Sequence, residues 1–411
     1  MNITTEFLSE IDKIRNKQIP EEVLSRARRS LLDYLAVTSA GAAFQEGKVR
    51  NYIDFAQPEK GDFNVLGCDC KLALKEAVFL NGLNGHALDF DDGTNSGIIH
   101  LGSPIFSLLL PLSQRYDVSI EEVLKAAIIG YEVSYTMAVS IQPRHKELGY
   151  HATGTCGVLG AVIAASYMLG FSDYERFNAF ATACVSATGM LSVLDAGSEL
   201  KPYNVAKTAL LALTSLQLAK AGFHGNPDSL GNPRGYLKMM TFMDDVEIKP
   251  FLLNNSYAIM KSYTKPYASC RYTHPSVEAA MHLREKVKVE DIERIDIKTY
   301  SLAVAGHDHT DIQGSYSAKM SIPYSTAVGM IYGKAGLQEF SEEKVEDKNI
   351  IKLVKKIHVN SDDELSALFP EVQPAEISII TKNGTTIEDR VDYPKGEPEN
   401  PLSDKEFKER Y

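Results

Sequence analysis

From Pro20 to about residue 245 the apolar positions recur at three- and four-residue spacing almost without a break, the pattern of amphipathic helices. "PEEVLSRARRSLLDYLAV" opens the run, with Pro20 suited to a first helical position. Ser119 with Glu122, and Ser172 with Glu175, read as capping boxes that start two further helices. "GVLGAVIAASYMLG", at 157–170, is apolar all round but shorter than the roughly 18–20 residues of a membrane span, so it predicts a buried helix. Stretches such as "VAKTALLALTSLQLAKAGFHG" are crowded with Ala, Gly and Ser. They predict helices whose backbones approach closely, in a dense bundle that could continue across a subunit interface.

Near residue 290 the period changes. "IERIDIKTYSLAV" and "KKIHVNSDD" alternate like half-buried strands, and "AEISIITKNGTTIEDRVDY" predicts a hairpin turning at Asn383-Gly384. Helical patterns lie among them at about 274–287, 318–334 and 342–356, and the tail "KGEPENPLSDKEFKERY" returns to helix-like sequence. The chain therefore reads as mainly α: a large all-helical domain formed by 1–254 and 396–411, and a smaller α+β domain over 255–395.

Composition narrows the partners. With 411 residues, a net charge of −11 and no broad basic field, the chain does not suit nucleic acid or an anionic membrane, although one or two buried lysines could still bind a small anion. The N-terminal segment is charged throughout and has no signal-peptide apolar run, which predicts a cytoplasmic protein. Five irregularly spaced cysteines suggest reduced thiols, and the lone "GCDC" pair is poor zinc-site material.

The densest chemistry lies in "NGLNGHALDFDDGTNSGIIH", residues 81–100. If its first half is a helix end closed by Gly93, then His86, Asp89 and Asp92 share one face. Three carboxylates would crowd the negative end of the helix dipole, each effect unfavourable by a few tenths to about 1 kcal/mol. Stability alone would not choose that arrangement, and it would raise one aspartate toward proton exchange near neutral pH. Two alternatives stay open. One is a solvated acidic loop, which the apolar flanks disfavour; the other is a metal held by His86, Asp89, Asp92 and His100, which lack a recognised ligand spacing.

Other candidates are scattered. His151 opens "HATGTCGVLGA" at an expected helix N-terminus, and Lys201 precedes a long apolar helix. Lys265, Tyr267, Cys270, Arg271 and His274 share "SYTKPYASCRYTH", and Tyr324 follows a Pro beside an apolar helix. A lone lysine is usually solvated and a lone buried tyrosine usually a core residue. "GHDHTD", at 306–311, reads as exposed loop.

Taken in chain order, "NGLNGHALDFDD", "HATGTCGVLGAVIAASYMLGFS", "ELKPYNVAKTALLALTSLQLAKAGFHG", "KPYASCRYTHPSVEAA", "SIPYSTAVGMIYG" and "YPKGEPENPLS" give the chain a resemblance to the MmgE/PrpD family over nearly its whole length. That resemblance implies a large helical domain, a smaller α+β lid, and a C-terminal segment that rejoins the helices. It also implies a homodimer without metal or cofactor, with the active site between the domains. Carried over, the catalytic positions would be Asp89, His100, His151, Lys201, Lys265 and Tyr324. Thr94, Arg271 and His274 would lie around the substrate, His274 in a supporting place. The chain departs from the pattern at Gly93-Thr94, at "HLGS", and at "KPYN", where Pro202 and Asn204 stand in place of an arginine and a histidine.

The implied activity is a lyase of the dehydratase type on a small di- or tricarboxylate, such as 2-methylcitrate or cis-aconitate, through a carbanion stabilised beside a carboxylate. Epimerisation or decarboxylation could use the same residues. A magnesium-dependent prenyl-type enzyme would need a second acidic motif that the sequence lacks, and a non-enzymatic helical interaction protein is the remaining alternative.

Overall fold

The computed structural model of the protein describes residues 2–410, apart from the side chains of 195–197. The protein is mainly helical, with one small four-stranded sheet and one two-stranded ribbon. It divides into two compact units. The first comprises Met1–Ala87, Asp91–Ser192 and Leu200–Ser262, and the second Leu88–Phe90, Val193–Glu199 and Tyr263–Tyr411.

The first unit is the helical bundle. Helices Gly102–Tyr116, Ile120–Ile141, Asp173–Ser186 and Lys201–Lys220 pack around Gly157–Met168, which is buried from Gly157 through Tyr167, and Glu21–Phe44 and Leu74–Gly85 pack onto those helices. An apolar circumference of this kind has no solvent face and belongs at the centre of a bundle. Small residues set the spacing there. A Cβ on Gly160 would lie 2.0 Å from Ser134 Oγ and 2.4 Å from Gly130 O, so helices Gly157–Met168 and Ile120–Ile141 touch at the backbone. Gly82 stands close to Ala206 in the same way, where a Cβ would lie 2.8 Å from the Ala206 Cα. Ser172 and Glu175 form the expected reciprocal cap. Ser119 accepts the Glu122 N–H, but the Glu122 carboxylate turns to Lys125 at 2.9 Å, so that cap is one-sided. Among the described residues no helix is long and apolar enough to cross a membrane.

The second unit is built on strands β3 (Ile292–Thr299), β4 (Ile357–Ser361), β5 (Ala375–Thr381) and β6 (Thr386–Val391), in the order β4-β3-β5-β6; β1 (Lys60–Asn64) and β2 (Lys71–Leu72) form the ribbon of the first unit. β3 and β4 are parallel, and the helices between them supply the crossover that a parallel pair needs. β5 and β6 continue the sheet antiparallel. Ile295 pairs with Ile379 and Ile297 with Ile377, an apolar face covered by helices His274–Leu283 and Ile322–Tyr332. The β5–β6 turn closes with Gly384 N–H on Thr381 O, Gly384 taking the positive φ of 85° that the Asn-Gly pair predicts.

Two boundaries differ from the expectation. Residues 255–262 belong with the bundle, because the buried Glu132 carboxylate accepts the Leu252 and Ala258 N–H groups, and Arg26 donates to Ser262 O at 2.7 Å. The tail 396–411 clusters with the second unit instead of rejoining the helices. Gly396 O accepts from Thr264 N at 2.8 Å, and Arg410, following the capped helix Asp404–Glu409, donates to Phe90 O. The helical pattern of the tail was real, but it carried no information about which body it packs on.

Candidate active site

Helix Leu74–Gly85 stops at Gly85, not at Gly93, so His86, Asp89 and Asp92 do not share a helical face. Its last residues include the Asn81-Gly82 and Asn84-Gly85 pairs, which are poor helix formers. His86 caps the end, and Asp89 turns the chain with a positive φ of 51°. Freed from the helix, each aspartate finds its own partners.

In the helical unit, Asp91 receives His86 Nδ1 at 2.8 and 2.9 Å on its two oxygens and Ser103 Oγ at 2.8 Å. His100 Nδ1 lies 3.4 Å from the same carboxylate. Burial would raise the Asp91 pKa, but the charges and hydrogen bonds of His100 and His86 hold it well below the usual carboxylate range. Asp92 accepts Gly102 N–H at 2.9 Å and the Tyr131 hydroxyl at 2.6 Å. Burial dominates there, against those two hydrogen bonds, and pushes its pKa up to about 6. The adverse electrostatics expected of this stretch therefore falls on Asp92, through desolvation and not through a crowded helix end.

The histidines differ in their partners. Burial drives His86 down to about 4 despite Asp91, and Lys201 adds to the lowering, which places that half-buried lysine, first residue of helix Lys201–Lys220, in the same neighbourhood. His86 Nε2 is buried without a hydrogen-bond partner among the described residues. His100 Nδ1 lies 2.9 Å from Asp92 O, a carbonyl that can only accept, so this nitrogen carries the hydrogen and Nε2 is the basic atom. The His100 N–H also reaches Thr153 Oγ1 at 3.1 Å, tying this loop to the turn that bears His151. The His86 ring lies 4.5 Å from that of His100 and 6.1 Å from that of His151, centre to centre. His151 precedes the short helix Ala152–Thr155, and its Nδ1 faces Asn204 Nδ2 at 3.1 Å. Thr94 pairs with Ile99 across a tight turn, its N–H on Ile99 O at 2.9 Å, and its buried hydroxyl has no partner among the described residues.

As a donor set, His86, Asp91 and His100 hold ligand-type atoms within 4.8 Å of one another, so they are this unit's candidates for a cation. The Asp91 carboxylate is already shared by His86 Nδ1, His100 Nδ1 and Ser103 Oγ, so a cation taking its oxygens would compete with those contacts. Proton transfer is the chemistry the arrangement suits as it stands.

The second unit has its own cluster. Lys265 is buried, with Nζ 2.6 Å from Asp89 O and 3.2 Å from its carboxylate. Lys319, equally buried, donates to Leu88 O at 3.1 Å, and Arg410 donates to Phe90 O while lying 3.9 Å over the Phe90 ring. Three consecutive carbonyls thus each hold a cation. Arg271 is buried in an ion pair with Glu397, and its Nη1 has no partner among the described residues. His274 donates to Ser269 O at 3.3 Å; burial, then Arg271 and Lys265, hold its pKa well below normal, so the ring is neutral. Tyr324 stands apart from that cluster. Its buried hydroxyl donates to Glu339 O at 3.0 Å, and its charged surroundings are Asp347, Glu339 and Glu342. The loop at 306–311 is exposed at Gly306, Asp308, Thr310 and Asp311 as expected, but His307 is buried and donates Nδ1–H to Met320 O at 2.8 Å.

With two units, each carrying its own histidine and lysine chemistry, the chain can be set beside known proteins. Residues 6–249 match the MmgE/PrpD N-terminal domain model, and residues 267–411 match the MmgE/PrpD C-terminal domain model. The chain belongs to the MmgE/PrpD family. Among curated members it is 22% identical over 429 residues to a cis-aconitate decarboxylase of Mus musculus, covering 100% of this chain and 86% of the relative. A cis-aconitate decarboxylase of Aspergillus terreus is 24% identical over 440 residues, covering 100% and 88%. A 2-methylcitrate dehydratase of Escherichia coli is 22% identical over 432 residues, covering 96% and 87%.

Several residues of these two clusters were not singled out as candidates by the sequence. Asp91 and Asp92 were grouped with Asp89 by a helical geometry that does not exist. His86 was weighed only as a possible ligand, and Asn204 stood only as a departure from the family pattern. Lys319 had a signal in retrospect, a single charge inside the small and apolar "SYSAKMSIPY". Arg410 had none.

Proposed function

We propose that this chain is a lyase that removes a group from a small di- or tricarboxylate by acid–base chemistry, as a dehydratase or a decarboxylase. The observation that carries the proposal is the buried His86–Asp91–His100 relay, with its basic nitrogen at His100 Nε2, in a chain whose relatives are named for those two reactions. In dehydration, His100 takes the proton α to a carboxylate, and the leaving hydroxide departs with a proton from an acid. In decarboxylation, the carbon–carbon bond breaks, carbon dioxide leaves, and the electron pair left on carbon is protonated. Both pass through a carbanion whose charge spreads onto carboxylate oxygens, where a lysine such as Lys201 stabilises it. The unpartnered Thr94 hydroxyl supports a role in holding substrate. Asp89 and Lys265 remain in the proposal as a buried ion pair, and Arg271 as a buried guanidinium with an unused donor. Tyr324, with its hydroxyl committed to a backbone carbonyl, does not.

The test is to incubate the purified protein with citrate, 2-methylcitrate, cis-aconitate and iminodisuccinate in D₂O and follow the mixtures by NMR. Loss of hydroxyl or release of carbon dioxide supports the lyase and chooses between its two forms. Deuterium exchange at carbon with no group lost would make the protein an isomerase, and inertness toward the whole panel would overturn the proposal.

A further inference from the structure

We propose that Asn204 is a positioning residue that holds His151 neutral, with its proton on Nε2 and its lone pair on Nδ1. The inference rests on the lyase reading only for what that tautomer is used for. Asn204 Nδ2 lies 3.1 Å from His151 Nδ1 and 3.4 Å from Met190 O. The Met190 carbonyl can only accept, so it fixes which end of the amide points at the ring; the reverse orientation would set two acceptors against each other. With the amide NH₂ facing it, Nδ1 must accept, and the ring hydrogen sits on Nε2. Protonating Nδ1 would bring N–H against N–H, so the same contact disfavours the imidazolium.

The constraint is stiff. Asn204 and His151 are both buried, and Asn204 lies in the first turn of helix Lys201–Lys220, where Thr208 Oγ1 donates to its carbonyl at 2.6 Å. The titratable and charged groups near the pair include His86, 6.1 Å away ring to ring, Asp91 bonded to it, His100 beside Asp91, and Lys201, whose charge acts on His86.

His100 is held in the opposite tautomer. Its Nδ1 faces the Asp92 carbonyl at 2.9 Å and the Asp91 carboxylate at 3.4 Å, both acceptors, so its hydrogen is on Nδ1. The same ring atom, Nε2, is therefore a donor on His151 and an acceptor on His100. The helical unit holds one acid and one base of the same residue type, and neither needs to be charged before the reaction. His151 is the proton donor to the leaving group or to the carbanion, and His100 the acceptor.

The tautomer can be read without substrate. Protein labelled with ¹⁵N at its histidines is examined by long-range ¹H–¹⁵N correlation, the His151 signal being identified by its loss in His151→Gln. The expected result is the Nε2–H form at neutral pH in the wild type and the Nδ1–H or doubly protonated form in Asn204→Asp, whose carboxylate accepts from Nδ1. A wild-type ring protonated at Nδ1, or an Asn204→Asp ring unchanged from wild type, would overturn the proposal. Should Asn204→Asp not fold, Asn204→Ala takes its place: with the amide donor gone His151 should protonate at a higher pH than in the wild type, and a ring that titrates as in the wild type would overturn the proposal.

On the substrate found in the panel, Asn204→Asp should keep turnover at low pH, where the ring is doubly protonated and Nε2 still donates. It should lose roughly 10- to 100-fold in kcat as pH rises and the proton stays on Nδ1, with KM little changed, a limb absent from the wild type. A pH profile parallel to wild type would refute the assigned role. An expected tautomer with no turnover of any panel compound would leave the tautomer standing and sink the lyase reading instead.

Discussion

Asp92→Asn tests the electrostatics of the site without a substrate. The Asp92 carboxylate is 4% exposed, and burial lifts its pKa from 3.8 to about 6 against the pull of Tyr131 and Gly102. A rise of about two units corresponds to roughly 3 kcal/mol of folding free energy. The sign follows from where each state ionises. Below the unfolded value both states are protonated and Asp92 costs nothing; between the two values the unfolded chain ionises first; above the folded value the full penalty applies. The exchange of carboxylate for amide is nearly isosteric: Asn can still accept from Gly102 N–H, while the Tyr131 hydroxyl must turn from donor to acceptor. Urea unfolding of both proteins, at one protein concentration so that any association cancels, should show the variant gaining roughly 1 to 1.5 kcal/mol on the wild type between about pH 5 and about pH 7.5. A stability difference that does not change with pH, or that moves against the variant as pH rises, would refute the desolvation argument.

Asp91→Asn should lower kcat by about 10²- to 10⁴-fold with a smaller effect on KM, because an amide NH₂ would face the Nδ1 hydrogens of His86 and His100; wild-type turnover by the folded variant would remove Asp91 from the mechanism. His86 and His145 are both held at about 4 by burial, below an ordinary value of 6.5, so each adds stability above that value and loses it as pH falls toward 4. His145→Gln should flatten this acid-side decline in melting temperature, and a decline as steep as wild type would count against it. Gly160→Ala should destabilise by about 3 kcal/mol, since its Cβ would meet Ser134 Oγ at 2.0 Å, and an unchanged melting temperature would show that the helices can separate at no cost.

The fold was legible because period is a local property. The hairpin at Asn383-Gly384, the buried helix at 157–170 and the change of pattern near residue 290 all appear where spacing and turn chemistry put them. The site was legible as a location and not as a geometry. "GHALDFDD" carries enough apolar residues to continue a helix, and only the Asn-Gly pairs before it hint that the helix ends at Gly85. Once the helix ends, i, i+3 reasoning fails, and the pairing of Asp91 with His86 and His100 depends on a loop whose path no periodicity encodes. Contacts far apart in sequence were invisible for a related reason. Lys319 on Leu88 O and Arg410 on Phe90 O join segments hundreds of residues apart, and neither lysine nor arginine type distinguishes a buried carbonyl grip from a solvated surface charge.

The stretch from His86 to Gly102 also breaks several local rules at once, and this bears on function independently of family. His86 Nε2 and the Thr94 hydroxyl are buried without partners among the described residues, each worth about 1–3 kcal/mol of desolvation, and Asp92 is an anion that burial disfavours. Asp89, beside it in sequence, holds a left-handed backbone that a non-glycine residue rarely adopts. A folding sequence under selection for stability alone would replace such groups with apolar ones of similar size. Unfavourable terms gathered in one short stretch are expected where the groups serve a reaction. The two demands then trade against each other: Asp92→Asn should raise stability near neutral pH while lowering turnover. A variant that gained in both would show that this stretch is a packing solution, and the chemistry would have to be sought elsewhere in the chain.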